Sequence, residues 1–81
     1  MSSTVKALVK TKLNKNQSAA IESFIEDRGV IIFKNSKLLK ILNSGDFKSV
    51  PEELAKWIVE NGKRKEELVE LRRKEIELFT K

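Results

Sequence analysis

Apolar positions along the chain follow different spacings in different segments, and each spacing predicts an element. Residues 4–13 fit a half-buried strand if Val5, Ala7, Val9 and Leu13 point one way and Lys6, Lys10 and Lys12 the other, with Leu8 the misfit. The β-branched residues Thr4, Val5, Val9 and Thr11 favour that reading. Val5, Leu8, Val9 and Leu13 also stand at helical spacing, so a helix is the alternative, and either form leaves the lysines wet.

From Asn14 the period becomes helical. Asn14 and Gln17 have the spacing of a reciprocal capping box, Ile21, Phe24, Ile25 and Arg28 share a face with Ala20 beside it, and Gly29 is placed to stop the helix. "VIIF", residues 30–33, is short, apolar and β-branched and reads as a buried strand or extended segment. Asn35 or Ser36 then caps a brief helix bearing Leu38, Leu39, Ile41 and Leu42, and a loop hinged at Gly45 follows.

Ser49, Pro51 and Glu52 form the start signal of a last helix, whose composition stays helical to residue 80. Glu52 with Lys56, Glu60 with Arg64, and Glu70 with Lys74 are i to i+4 pairs that mark its wet side. Asn61-Gly62 often ends a helix, yet Trp57, Leu68 and Phe79 keep phase across it, so the expectation is one long helix bent near Gly62, with two helices as the alternative. The fold class expected is mainly α with a minor β component: a basic strand or arm over 1–13, a helical core over 14–45 and a long helix over 49–80, all in one small domain.

Leu68, Val69, Leu71, Ile76, Leu78 and Phe79 cover about half the circumference of the distal helix. An 81-residue chain has little core to offer them. They are therefore expected, with Trp57, to join a second subunit in a homodimer; packing onto Ile21, Phe24, Ile25 and residues 30–33 within one chain is the alternative. The interface candidates are Trp57, Leu68, Leu71, Ile76 and Phe79.

Charge sharpens the functional expectation. The net charge of +5 lies wholly in residues 1–50, while residues 51–81 balance eight basic side chains against eight acids. Lysine predominates, which suits attraction to phosphates over base reading. Lys6, Lys10, Lys12, Lys15 and Lys34 are the candidate nucleic-acid contacts, DNA being preferred to RNA. With no cysteine and no histidine, the usual zinc, haem and iron–sulfur ligand sets are missing, no cofactor is expected, and a reducing cytoplasm is the expected compartment.

No glycine-rich phosphate loop occurs, and Glu66, Glu67 and Glu70 have a spacing common on plain charged helices. An enzyme is therefore not expected. Nor is a membrane partner, because the longest uninterrupted apolar run is residues 30–33. The alternative function is a protein-binding adaptor or inhibitor that docks the apolar face of the last helix in a partner's groove.

The order of a basic alternating segment, a capped helix ending in "EDRG" and a second helix capped within "KNSKLLKIL" resembles the ribbon-helix-helix DNA-binding family over residues 4–43. That resemblance implies paired N-terminal strands whose Lys6, Leu8 and Lys10 enter the major groove, with Lys12 nearby. It also places the backbone amides near Asn35 and Ser36 against phosphate. "VIIF" and the long last helix depart from the family pattern.

Overall fold

The computed structural model describes residues 3–81, with side chains from Val5 onward. The mostly helical fold class with a small sheet is borne out, although the strands lie elsewhere than expected. The order is α1 (Ser3–Leu8), α2 (Lys15–Arg28), α3 (Val30–Lys34), α4 (Lys37–Ser44), a 3-10 turn (Phe47–Ser49), α5 (Val50–Ala55), β1 (Val59–Glu60), β2 (Lys63–Arg64) and α6 (Glu66–Phe79).

The basic segment is a helix where a strand was preferred. Val5 and Val9 are buried and Leu8 is half-buried on one side, which is the helical alternative's face. A strand would need a neighbour to take its backbone groups, whereas here Val9 N donates to Val5 O at 2.9 Å. After α1 the chain is clamped to the end of α4. Lys10 N donates to Asn43 Oδ1 (2.6 Å), Asn43 Nδ2 to Leu8 O (3.2 Å), and Thr11 Oγ1 to Leu42 O (2.7 Å). The bond to Leu8 O serves a carbonyl at a helix end, and Leu42 O accepts from Gly45 N (3.1 Å) as well.

The start of α2 is as expected: Gln17 N donates to Asn14 Oδ1 (2.7 Å) and Asn14 N to Gln17 Oε1 (2.9 Å). Gly29 ends it with φ at 92°, a backbone few other residues adopt. "VIIF" then belongs to α3, not to an extended segment. Phe33 N donates to Gly29 O and Asn35 N to Ile31 O, both at 3.2 Å, so the backbone is satisfied locally and only Phe33 turns into the core. Ser36 caps α4, accepting from Leu39 N at 3.3 Å.

The expected long helix is broken in its middle. Asn61 (φ 53°) and Gly62 (φ 78°) both take positive φ, the signature of a two-residue hairpin turn, and pair Val59 with Arg64 and Glu60 with Lys63. The ion pairs change with it. Glu60 meets Lys65 at 3.1 Å, Glu53 meets Lys56 at 3.3 Å, and Glu70 meets Arg73, in place of the expected helical partners. Ser49 does not cap α5; its hydroxyl donates to Asp46 Oδ2 at 2.7 Å. No atom stands within 4 Å of a Cβ built on Gly62, so Gly62→Ala meets no clash, only the left-handed backbone penalty of about 1–2 kcal/mol. A urea titration should show the midpoint moving down by that amount.

The core is built on α2. Ala20, Ile21 and Phe24 are fully buried against Phe33, Leu38, Leu42, Val50 and Leu54. The Phe24 ring meets Phe33 edge-on at 6.1 Å and Trp57 at 5.3 Å, while Phe47 and Phe79 form a third such pair at 5.8 Å. Helix α6 lies along α2 and closes the core. Its Phe79 and Leu68 are buried, and Ile76 packs against the same cluster. The apolar face expected to join subunits is thus occupied by the chain's own helices.

Candidate functional site

Titratable side chains converge where α2, α6 and the turn after α5 meet. Helix α6 buries Leu68, Arg72, Glu75 and Phe79, spaced i, i+4, i+7 and i+11, so a cation and an acid stand in the middle of its apolar stripe. Arg72 is 1% exposed and uses every edge of its guanidinium. Nε donates to Trp57 O at 2.9 Å, Nη1 to Glu75 Oε1 at 2.6 Å, and Nη2 to Asp27 Oδ2 near the end of α2. The guanidinium carbon also lies 4.9 Å from the centre of the Phe24 ring, within cation–π range. Ser23 Oγ donates to the second oxygen of Glu75 at 2.6 Å.

The cluster fixes the two long helices and the Trp57 turn in one register. Arg28 Nε approaches Asp27 Oδ2 at 3.2 Å without the alignment of a hydrogen bond. Burial pushes the Glu75 carboxyl above its ordinary value; the bonds from Ser23 and Arg72 pull it down, and nearby Asp27 adds to the rise. In the folded chain Glu75 therefore takes up a proton at a higher pH than in the unfolded chain. Its contribution to stability rises as pH falls through the folded pKa and levels off below the unfolded value of 4.5. Glu75→Gln removes that slope, so the difference in urea midpoint between wild type and E75Q should shift in favour of E75Q as pH rises to neutrality.

Could this pair perform acid–base chemistry on a sugar? Glycoside hydrolysis sets two carboxyl groups on either side of an accessible bond, about 5–9.5 Å apart depending on stereochemical outcome, one free to donate a proton. Glu75 is 2% exposed, and it shares one guanidinium with Asp27. Both carboxyl groups are engaged by Arg72 in holding the fold.

The residues expected to bind nucleic acid lie on the surface. Lys6, Lys10, Lys12, Lys15 and Lys34 are all exposed; Lys6 and Lys12 meet on the rim of a cavity of about 200 Å³, which Val5, Val9, Thr11, Leu13 and Ser18 also line. Lys10 Nζ donates to Ala7 O at 3.3 Å. Of the interface candidates, Leu68 and Phe79 are buried within the chain and Trp57, Leu71 and Ile76 are half-buried. The Arg72 cluster was missed. Its signal was available: Arg72 and Glu75 fall on the buried line through Leu68 and Phe79, a position charged residues take only when paired.

A family model for phage lysozyme matches residues 1–75. The SAR-endolysin of Escherichia phage Mu is 35% identical over 71 residues, 88% of this chain and 40% of that one. The endolysin of Bacillus phage B103 is 36% identical over 75 residues, 93% of this chain and 28% of that protein. The endolysin of Acyrthosiphon pisum secondary endosymbiont phage 1 is 41% identical over 58 residues, 69% and 40% of the respective chains. The chain belongs to the phage lysozyme family, and it spans less than half the length of these relatives.

Membership overturns the ribbon-helix-helix resemblance, and α1 supplies no strand to form the ribbon. It also replaces the expected DNA-binding regulator with its nucleic-acid partner, and the adaptor alternative, by a family of cell-lysis proteins. The expectation of a non-enzyme falls as well, since lysozymes are enzymes by definition. The lack of a phosphate loop did not bear on this class, because glycosidases work with carboxylates.

Proposed function

We propose that this chain is a helical lobe of a peptidoglycan-degrading lysozyme that serves in cell lysis. The observation that carries this reading is the lysozyme family match across residues 1–75, supported by three endolysin relatives at 35–41% identity. The substrate is the glycan of the bacterial cell wall, and the reaction is hydrolysis of its glycosidic bonds. Asp27 and Glu75 are tied to Arg72, so the lobe's part is to present a rigid wall. The hydrolytic carboxylates would come from the stretch of the relatives' sequence that lies outside the match. Folding takes place in the cytoplasm of the producing cell, where a fold without cysteine needs no oxidant.

The test is a chimera in which residues 3–75 replace the matching segment of the phage Mu endolysin. A folded chimera should clear a suspension of purified cell walls and release new reducing ends. A chimera that is folded by circular dichroism yet releases none would overturn the reading.

A further inference from the structure

Helix α3 carries three adjacent exposed large apolar side chains: Val30 and Ile32 are 44% exposed and Ile31, the most exposed among the described residues, is 73% exposed. The helix is held in place from its other side by Phe33, which is fully buried. Lys34 stands three residues after Ile31 and four after Val30, and so shares their exposed side. Lys37 and Lys40 continue the cationic border along the wet side of α4, whose Leu38, Leu39 and Leu42 face inward. Between Gly29 and Gly45 there are three lysines and no acid, and none of those lysines is in an ion pair among the described residues. Before Gly29, Asp27 is paired with Arg28 and Arg72 and Glu26 is exposed; beyond α4, Asp46, Glu52 and Glu53 line one cavity with Lys37, and Glu53 is paired with Lys56.

From this arrangement we infer that α3 and the start of α4 dock on an anionic lipid surface, with Val30, Ile31 and Ile32 entering the headgroup boundary and Lys34, Lys37 and Lys40 meeting lipid phosphates. Three adjacent side chains are far fewer than the 20–30 residues a stable protein interface uses on each side. A bilayer asks for no such complementary area, since each inserted side chain and each surface lysine adds its own share. Among the described residues no helix is long and apolar enough to cross a membrane, and the inferred contact is a peripheral one. The inference is independent of the lysozyme reading, because no part of it involves hydrolysis.

The test is sedimentation of the full chain with vesicles of equal parts phosphatidylglycerol and phosphatidylcholine, and with phosphatidylcholine alone. Wild type should partition onto the anionic vesicles and release as salt is raised. Ile31→Ser should lower partitioning about ten-fold, as expected for withdrawing one large aliphatic side chain. The double variant Lys34→Gln/Lys37→Gln should lower it at least five-fold on anionic vesicles. Unchanged thermal melting of I31S, expected of so exposed a position, keeps the comparison clean. Equal partitioning of I31S and wild type would overturn the inference, as would no binding to anionic vesicles. So would light scattering that shows an Ile31-dependent dimer, which would make a second copy the occupant.

Discussion

Arg72→Ala is expected to destabilise the chain by about 3–5 kcal/mol, the range for breaking a buried ionic cluster by removing one partner. Total stability for a domain of this size is about 5–15 kcal/mol, so the variant should be substantially unfolded at moderate urea. The cause is less the lost attraction than the groups left behind. Glu75, 2% exposed, would keep Ser23 as a donor but lose its cation, and the Trp57 carbonyl would lose the bond from Nε. Neutralising what remains should therefore recover stability: Arg72→Met with Glu75→Gln and Asp27→Asn is expected to be more stable than Arg72→Ala alone, because well-packed neutral groups replace stranded charge. Urea melts of the single and triple variants at pH 7 check this. A triple variant no better than the single would mean that the guanidinium acts through packing alone.

What was legible in the sequence follows from how local each cause is. The capping box at Asn14 and Gln17 involves residues three apart, and it is present with both bonds made. The Ser36 cap and the inward face of α4 are equally local. Residues 30–33 misled because β-branched propensity is a weak preference. Gly29 reverses the chain beside α2, and no neighbouring strand exists among the described residues to pair with "VIIF". The Asn61-Gly62 hairpin was masked by an accident of phase, since Trp57, Leu68 and Phe79 stand eleven residues apart whether or not a helix joins them. Trp57 reaches the core through its contact with Phe24 from the turn after α5, and Leu68 and Phe79 do so from α6.

Function was less legible for a physical reason. The charge imbalance of residues 1–50 is real, but unpaired lysines attract any polyanion, and their number does not choose among them. The residues that hold this fold in shape are charged groups on a buried helix face. Their partners lie 45 residues away for Arg72 with Asp27, and 52 for Glu75 with Ser23. Spacing within one segment cannot reveal such a meeting, although an arginine on an apolar line does announce that some acid must face it.

Phe24→Ala is the second large effect, expected at about 3–5 kcal/mol, because the ring is fully buried and its removal leaves a cavity the helices cannot close. The ring is the point at which the aromatic core and the ionic cluster touch: Phe33 and Trp57 pack against it edge-on, and the Arg72 guanidinium lies beside it. Two consequences distinguish this from simple loss of volume. Trp57, the chain's one tryptophan, loses a wall of its site, so its emission should move to longer wavelength even in the folded fraction. The effects of Phe24→Ala and Arg72→Ala should also fail to add, with a coupling of about 0.5–3 kcal/mol in a double-mutant cycle. Phe24→Leu, which keeps most of the volume, should cost less than Phe24→Ala yet still weaken that coupling, since the aliphatic side chain offers the guanidinium no ring face. Additive effects, measured where each single variant is still folded, would show that the core and the cluster stabilise the lobe independently.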